Sequence, residues 1–210
     1  GLAGRLNPAK VPNPPSITAT FTKAGAEMSA KKELVLVLGG ARSGKSDWAQ
    51  SQLEVCSQDV LFVATATAGD EEMQSRIQKH RASRPPHWKT LEAQLNVGQA
   101  IVAARPKGWV LLDCVTMLAS NVLFSLPEPV AEADYQKAMQ AEIEALIDAW
   151  HKQDASWMLI SNEVGLGLVP PNALSRYYRD ELGRANQRLA KVATKVVFMV
   201  AGIPMVIKEL

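Results

Sequence analysis

The sequence has 210 residues, of which 47% are hydrophobic and 21% charged, so it is long enough to bury one sizeable core and is neither disordered nor collagen-like. Its formal net charge is +2 at pH 7, which argues against a general nucleic-acid binder, because such proteins need a concentrated basic face. The longest apolar run, residues 196–207, contains a glycine and a proline, whereas a membrane-spanning helix needs about 20 apolar residues. We therefore expect no membrane span.

The first 27 residues differ in composition from the rest of the chain. They contain four of the 12 prolines, a stretch rich in serine and threonine, and no apolar periodicity. This composition is typical of a flexible extension, and we expect a single domain over residues 28–210. The two cysteines, Cys56 and Cys114, have the spacing of neither a metal site nor a disulfide framework, which favours a reducing, cytoplasmic location.

From Leu34 onward, short apolar runs alternate with stretches of helical periodicity. The runs lie at residues 34–38, 60–64, 109–112, 157–160 and 196–200. Continuous apolar runs suit strands that are covered on both faces, as in a parallel sheet between helices. A sixth run at residues 205–207 follows Gly202 and Pro204 closely enough to predict an antiparallel edge hairpin. The pattern predicts a doubly wound α/β fold with a mostly parallel sheet and an antiparallel C-terminal edge hairpin.

A glycine-rich segment directly follows the first predicted strand and precedes a helix predicted from Asp47. It matches the phosphate-binding motif G-x-x-x-x-G-K-[ST] in the strand, turn and helix context that the motif requires, and so predicts a P-loop NTPase-like fold. Its residues are Gly39, Gly40, Ala41, Arg42, Ser43, Gly44, Lys45 and Ser46. In such a loop backbone N–H groups surround a phosphate, Lys45 reaches the β and γ oxygens, and the Ser46 hydroxyl can hold Mg²⁺. A glycine-rich turn that binds nothing is the alternative.

Polar residues follow several of the other predicted strands. Asp113 ends the run at 109–112, where a carboxylate can orient Mg²⁺ through its waters, although a lone aspartate at a strand end is also typical of a helix cap. Thr65 and the pair Asn162-Glu163 follow two further runs, and Asn172 is a predicted helix N-cap beyond that pair. Because ligands gather at the carboxyl ends of strands in open α/β sheets, we expect these groups to meet the phosphate loop at one edge.

His80 lies in an arginine-rich segment after the second predicted strand. Met73 and Ile77 precede it at helical spacing, a pattern typical of a packed histidine. The neighbouring arginines instead suit the binding of a phosphate. We expect Arg84 to stabilise phosphate charge more effectively than Arg76, because Arg84 lies in a predicted loop and not on a helix. The pattern alone leaves both interpretations of His80 open.

Three segments together resemble the bifunctional adenosylcobinamide kinase / adenosylcobinamide-phosphate guanylyltransferase family of cobalamin synthesis. They are the phosphate loop, the stretch with Arg76-Ile77, His80, Arg84-Pro85 and His87-Trp88, and the stretch from Asn162-Glu163-Val164-Gly165 through Pro170 to Arg176, Arg179, Arg184 and Asn186-Gln187. The phosphate loop is shared by many enzymes, whereas the other two segments are specific to this family. The resemblance runs from about Leu34 to Lys208.

The resemblance implies two successive reactions. A nucleoside triphosphate, with ATP and GTP as substrates, phosphorylates the hydroxyl of adenosylcobinamide, and GTP then guanylylates the product through a histidine that carries GMP. That histidine falls on His80, whose neutral imidazole is available at pH 7 because its reference pKa is about 6.5. Besides the phosphate loop, the implied nucleotide-binding positions are Ala64, Thr65, Ala66, Arg81, Ala82, Ser83, Arg84, Glu92 and Asp113. A homotrimer is implied as well.

Two other functions fit the phosphate loop. One is a monofunctional P-loop kinase for another small alcohol, with His80 merely packed. The other is a GTP-dependent regulatory binding module. Labelling by α-labelled GTP distinguishes the bifunctional enzyme from both, because only a covalent intermediate leaves GMP on the protein.

Overall fold

The computed structural model describes residues 31–56, 58–66 and 84–210. The predictions for residues 1–27 and for His80, Arg81, Ala82 and Ser83 lie outside these ranges. The strands are β1 (Leu34–Gly39), β2 (Val60–Ala64), β3 (Lys89–Glu92), β4 (Trp109–Asp113), β5 (Ser156–Ile160), β6 (Lys195–Val200) and β7 (Ile203–Glu209). The helices of the described ranges are α1 (Lys45–Glu54), α2 (Val97–Ala104), α3 (Val115–Phe124), α4 (Glu132–His151) and α5 (Ala173–Val192).

The strands form one seven-stranded sheet in the order β3-β2-β4-β5-β1-β6-β7. Every neighbouring pair is parallel except β6 and β7, which are antiparallel at one edge. One hydrophobic core lies between the sheet and helices α2 to α5, and a second lies on the opposite face under α1. The predicted doubly wound, mostly parallel sheet with an antiparallel C-terminal edge hairpin is confirmed.

The continuous apolar runs are explained by this two-sided burial. Leu36 and Leu38 of β1 face the larger core, whereas Val35 and Val37 face the core under α1. All of β1 is buried. Successive strand residues point to opposite faces, so a strand covered on both faces needs an apolar side chain at every position.

Two details differ from the sequence-based expectation. Strand β3 was not predicted, because Lys89–Glu92 is short, polar and largely exposed at the sheet edge, so it lacks the apolar run of a buried strand. Helix α1 begins at Lys45 rather than Asp47, since Gly44 at its N-cap has a φ of 88° and turns the loop directly into the helix. Asn172 does cap α5, its side chain accepting a hydrogen bond from the backbone N–H of Ser175.

None of the helices in the described ranges combines the length and apolar character needed to cross a membrane. Cys56 and Cys114 are free thiols.

Candidate active site

The phosphate loop folds back on itself between β1 and α1. The Lys45 ammonium donates a hydrogen bond to the Gly40 carbonyl at 2.6 Å, and the Ser43 N–H donates to the same carbonyl at 3.3 Å. Arg42 (φ 60°) and Gly44 (φ 88°) have left-handed backbone conformations. Backbone of this kind, at the start of a helix, is typical of anion-binding concavities.

Neighbouring backbone fixes both ends of the loop. The Glu163 N–H donates to the Gly39 carbonyl at 3.0 Å, and the Gly202 N–H, in the turn between β6 and β7, donates to the Ser43 carbonyl at 3.0 Å. At Gly39, whose φ is 154°, an added Cβ would lie 2.6 Å from the Met199 carbonyl oxygen. The first glycine of the motif is therefore required by the close approach of β6 as well as by its φ.

The register of the sheet brings the polar strand ends into one row. Ala64 pairs with Glu92 on one side and Asp113 on the other, Asp113 pairs with Ile160, and Ile160 pairs with Val37, two residues before the phosphate loop. Glu92 and Asp113 are two strands apart, which corresponds to about 10 Å. Predicted binding positions from four different strands thus share one edge.

Asp113 lies close enough to the phosphate loop to act on Lys45. Burial lowers the pKa of the buried Lys45 ammonium, and the nearby Cys114 and Asp113 side chains oppose that shift. Asp113 and the hydroxyl-bearing Ser46 are both half-buried. A carboxylate and a hydroxyl are hard oxygen donors of the kind that Mg²⁺ uses together with substrate phosphates, so this donor set fits the predicted metal site.

Thr65, at the end of β2, is tied to the residue after Asp113. Its Oγ1 accepts a hydrogen bond from the Cys114 N–H at 2.8 Å and donates one to the Cys114 carbonyl at 2.8 Å. Its own N–H donates to the Asp113 carbonyl at 3.2 Å. Asn121 of α3 donates to the Thr65 carbonyl at 2.8 Å. Thr65 therefore joins β2, β4 and α3 at the active edge.

Asn162, after β5, is held from two helices. Its N–H donates to the Thr116 hydroxyl of α3 at 2.8 Å, and its carbonyl accepts from the Asn186 side chain of α5 at 3.0 Å. The next residue, Glu163, accepts from the Gly165 N–H at 2.7 Å and so shapes the following loop. The sequence analysis did not identify Thr116, and it named Asn186 only within the family-like stretch, because these residues lie 46 and 24 positions from Asn162.

Arg84 packs its guanidinium against the sheet face. The guanidinium carbon lies 3.4 Å from the centre of the Phe62 ring, and Nη1 donates to Thr90 at 3.3 Å. Stacking on an aromatic ring is a common arrangement for arginine. The predicted contact between Arg84 and a phosphate stays a prediction.

The sequence model of the family described as "Cobinamide kinase / cobinamide phosphate guanyltransferase" matches residues 35–207. The chain belongs to this family. It is 42% identical to the "Bifunctional adenosylcobalamin biosynthesis protein CobU" of Salmonella typhimurium and 44% identical to the CobU of Escherichia coli, each over 83% of this chain and 99% of the relative. It is 41% identical to the "Bifunctional adenosylcobalamin biosynthesis protein CobP" of Pseudomonas aeruginosa over 82% of this chain and 96% of the relative.

A similar fold occurs in a solved "prototypical ATPase from the type III secretion system of pathogenic bacteria". The match has a TM-score of 0.50 at 11% sequence identity and covers 79% of this chain, which spans about half (51%) of that structure. At this identity the likeness concerns the fold alone. Together with the glycine-rich loop after β1, it confirms the predicted P-loop NTPase-like architecture.

In this member of the cobinamide kinase family, most of the predicted site residues lie along one edge of the sheet. Residues 39–46 form the loop after β1, and Ala64, Glu92 and Asp113 lie in one row at the ends of β2, β3 and β4. Strands β4 and β5 separate β2 from β1, so Ala64, Thr65 and Ala66 lie along the same edge but not next to the loop. Arg84 lies beside this region, on Phe62. His80 and residues 81–83 lie outside the described ranges, so their assignment stays a prediction.

Proposed function

We propose that this chain phosphorylates adenosylcobinamide with a nucleoside triphosphate and then transfers GMP from GTP to the product, giving adenosylcobinamide-GDP and pyrophosphate. The observation that carries the proposal is the family match over residues 35–207. The identity of 41–44% over almost the full length of three relatives named as bifunctional biosynthesis proteins supports it further.

The phosphate loop serves the kinase step. The acceptor hydroxyl oxygen attacks the γ-phosphorus, the bond to the β-phosphate oxygen breaks, and the hydroxyl proton is released to solvent. Negative charge develops on the phosphate oxygens during this transfer. The Lys45 ammonium, which bonds to the Gly40 carbonyl at 2.6 Å, exchanges that partner for a phosphate oxygen when nucleotide binds. Ser46 and Asp113 would hold Mg²⁺, which would supply positive charge to stabilise the negative charge of the phosphates.

The guanylyl transfer uses His80 as nucleophile. Its imidazole nitrogen attacks the α-phosphorus of GTP and displaces pyrophosphate, which leaves GMP on the ring as a phosphoramidate. The phosphate of phosphorylated adenosylcobinamide then attacks the same phosphorus and releases the histidine. Two successive displacements replace one difficult transfer, and the resemblance to the family supports this route.

We also propose a cytoplasmic homotrimer. The family resemblance supports the trimer, and the free thiols of Cys56 and Cys114 suit a reducing compartment. Sedimentation velocity of the full chain measures the assembly directly, and a monomer at all concentrations would contradict it.

Labelling with GTP tests the transferase half. The full chain is incubated with [α-³²P]GTP and Mg²⁺, separated by denaturing electrophoresis, and treated with acid or alkali. We expect a label that acid removes and alkali leaves, as for a phosphoramidate, and that is absent from His80→Ala. His87→Ala is the matched control in the same segment and should label normally. Label that survives in His80→Ala would reject this nucleophile.

Replacement of the loop lysine tests the kinase half. Lys45→Ala should lower kinase turnover by roughly 10²-fold or more, because a buried cation facing the developing charge is lost. Lys107→Ala, at an exposed lysine, is the control. Undiminished kinase turnover in Lys45→Ala would contradict the proposed role of the phosphate loop in the kinase reaction. If the protein phosphorylates adenosylcobinamide but forms no covalent species with GMP, it is a kinase without the proposed guanylyltransferase activity.

A further inference from the structure

The Thr65 hydroxyl makes two hydrogen bonds to the backbone of Cys114, the residue after Asp113. The residue has 0% exposure, and its hydroxyl both donates to and accepts from Cys114, each at 2.8 Å. A threonine hydroxyl carries a single proton. Because that proton goes to the Cys114 carbonyl, the Thr65 side chain in this arrangement has none to donate to a nucleotide.

The three hydrogen bonds of Thr65 hold the backbone that directly follows the Asp113 side chain. The Thr65 N–H donates a hydrogen bond to the Asp113 carbonyl, and the Thr65 hydroxyl bonds to both the backbone N–H and the backbone carbonyl of Cys114. Asn121 in turn fixes the Thr65 carbonyl at 2.8 Å and also donates to the Gln94 carbonyl at 3.0 Å. The backbone on the carboxyl side of Asp113 is thus held from β2, and Thr65 itself is held from α3.

We propose that Thr65 is a positioning residue for Asp113, whose hydroxyl fixes the backbone that orients this carboxylate toward the phosphate loop. The inference rests on the proposed metal role of Asp113 and deepens it. Mg²⁺ tolerates little departure from octahedral arrangement and keeps several of its waters, so a small displacement of a carboxylate that would orient those waters matters. Groups that orient a metal-site residue from behind are typically worth about 10- to 100-fold in metal affinity or activity.

The hydroxyl can be removed with little change of shape. Thr65→Val keeps the volume and loses both bonds to Cys114, whereas Thr65→Ser keeps the hydroxyl. The chain offers a matched control in Thr194, whose Oγ1 accepts from the Leu34 N–H at 3.0 Å and donates to the Leu34 carbonyl at 3.1 Å. Thr194→Val therefore removes the same two bonds at the amino end of β1, away from Asp113.

The readout is the gain in nucleotide affinity that Mg²⁺ gives. Binding of a fluorescent GTP analogue to the full chain is titrated once in Mg²⁺ and once in EDTA. In Thr65→Val we expect this gain to fall by about 10- to 100-fold, with the affinity in EDTA unchanged. Thr65→Ser and Thr194→Val should keep the gain of the original protein.

Other outcomes overturn the inference. Equal weakening in Mg²⁺ and EDTA would mean that Thr65 contacts the nucleotide directly, and an unchanged gain would mean that its hydroxyl does not position the carboxylate. An equal loss in Thr194→Val would mean a general loss of stability. Should Thr65→Val fail to fold, Thr65→Ala removes the same hydroxyl with less bulk and carries the same test.

Asp113→Asn separates this inference from the proposed function. We expect it to abolish the gain from Mg²⁺. If Asp113→Asn keeps the gain, the metal role of Asp113 fails together with the inference that rests on it. If Asp113→Asn loses the gain and Thr65→Val keeps it, only the positioning role of Thr65 fails.

Discussion

Replacement of Gly39 by alanine tests how tightly the phosphate loop is packed against β6. The added Cβ would lie 2.6 Å from the Met199 carbonyl and 2.7 Å from the Ser43 hydroxyl. Ordinary contacts are about 3.5 Å. The Ser43 hydroxyl can rotate away, but the Met199 carbonyl belongs to the sheet, so the start of the loop has to move by several tenths of an ångström.

Two costs of Gly39→Ala add together. Overpacking costs about 1–3 kcal/mol, and a φ of 154° strains a residue with a side chain by about another 1–3 kcal/mol. We expect the free energy of unfolding to fall by about 2–6 kcal/mol and Tm by roughly 4–24 °C. Movement of Gly39 also strains the hydrogen bond from the Glu163 N–H, so nucleotide affinity should fall as well.

Gly40→Ala is the matched control in the same loop. An added Cβ at Gly40 meets nothing within 4 Å, and its φ is not in the left-handed region. Urea unfolding and nucleotide titration of both variants measure the two effects. A Gly39→Ala protein that unfolds within about 0.5 kcal/mol of the original and binds nucleotide equally well would refute the packing argument.

Two further predictions concern helix α5. Asn172→Ala should lower the free energy of unfolding by about 1 kcal/mol through loss of the N-cap, while Gln187→Ala on the exposed surface of the helix should change little, as urea unfolding measures. Burial raises the pKa of Tyr178 from 10.0 to about 12, so the unfolded chain loses this proton first and stability falls as pH rises between those values. Urea unfolding at pH 9 and pH 11 should show a loss of stability that is smaller by about 1.4 kcal/mol in Tyr178→Phe than in the original protein. The loss that Tyr178→Phe keeps comes from other groups, since burial also raises the pKa of Tyr135 and of Cys114. An equal loss in the two proteins would contradict the assignment.

Local patterns were enough to predict the phosphate loop and the central strands. The loop carries its own spacing and directly follows β1, whose burial on both faces imposes an unbroken apolar run. Strand β3 was missed because the exposed, polar Lys89–Glu92 belongs to the sheet only through pairing with β2. An edge strand of this kind is specified by its neighbour, which a single pass along the chain does not identify.

The hydrogen bonds that hold the site residues in place were harder to predict from the sequence than the site residues themselves. The family resemblance implies Thr65 as a nucleotide-binding position, and that role stays a prediction. The structure shows in addition that the Thr65 hydroxyl is bonded to Cys114, 49 positions away. Thr116 and Asn186 fasten Asn162 from two different helices. These hydrogen bonds join a side chain to a backbone group that is far away in the sequence. Because every residue other than proline has the same backbone donor and acceptor, the residue type does not show which backbone group a side chain will bind.

The hydrogen bond between Gly202 and Ser43 joins the β6–β7 turn to the phosphate loop. The β6–β7 hairpin lies at the border of the sheet, yet its turn supports the last part of the phosphate loop, and the Cα of Gly202 is 3.3 Å from where a Cβ on Gly44 would be. A carboxyl-terminal deletion that removes β7 and this turn would spare every motif residue and still withdraw support from the loop.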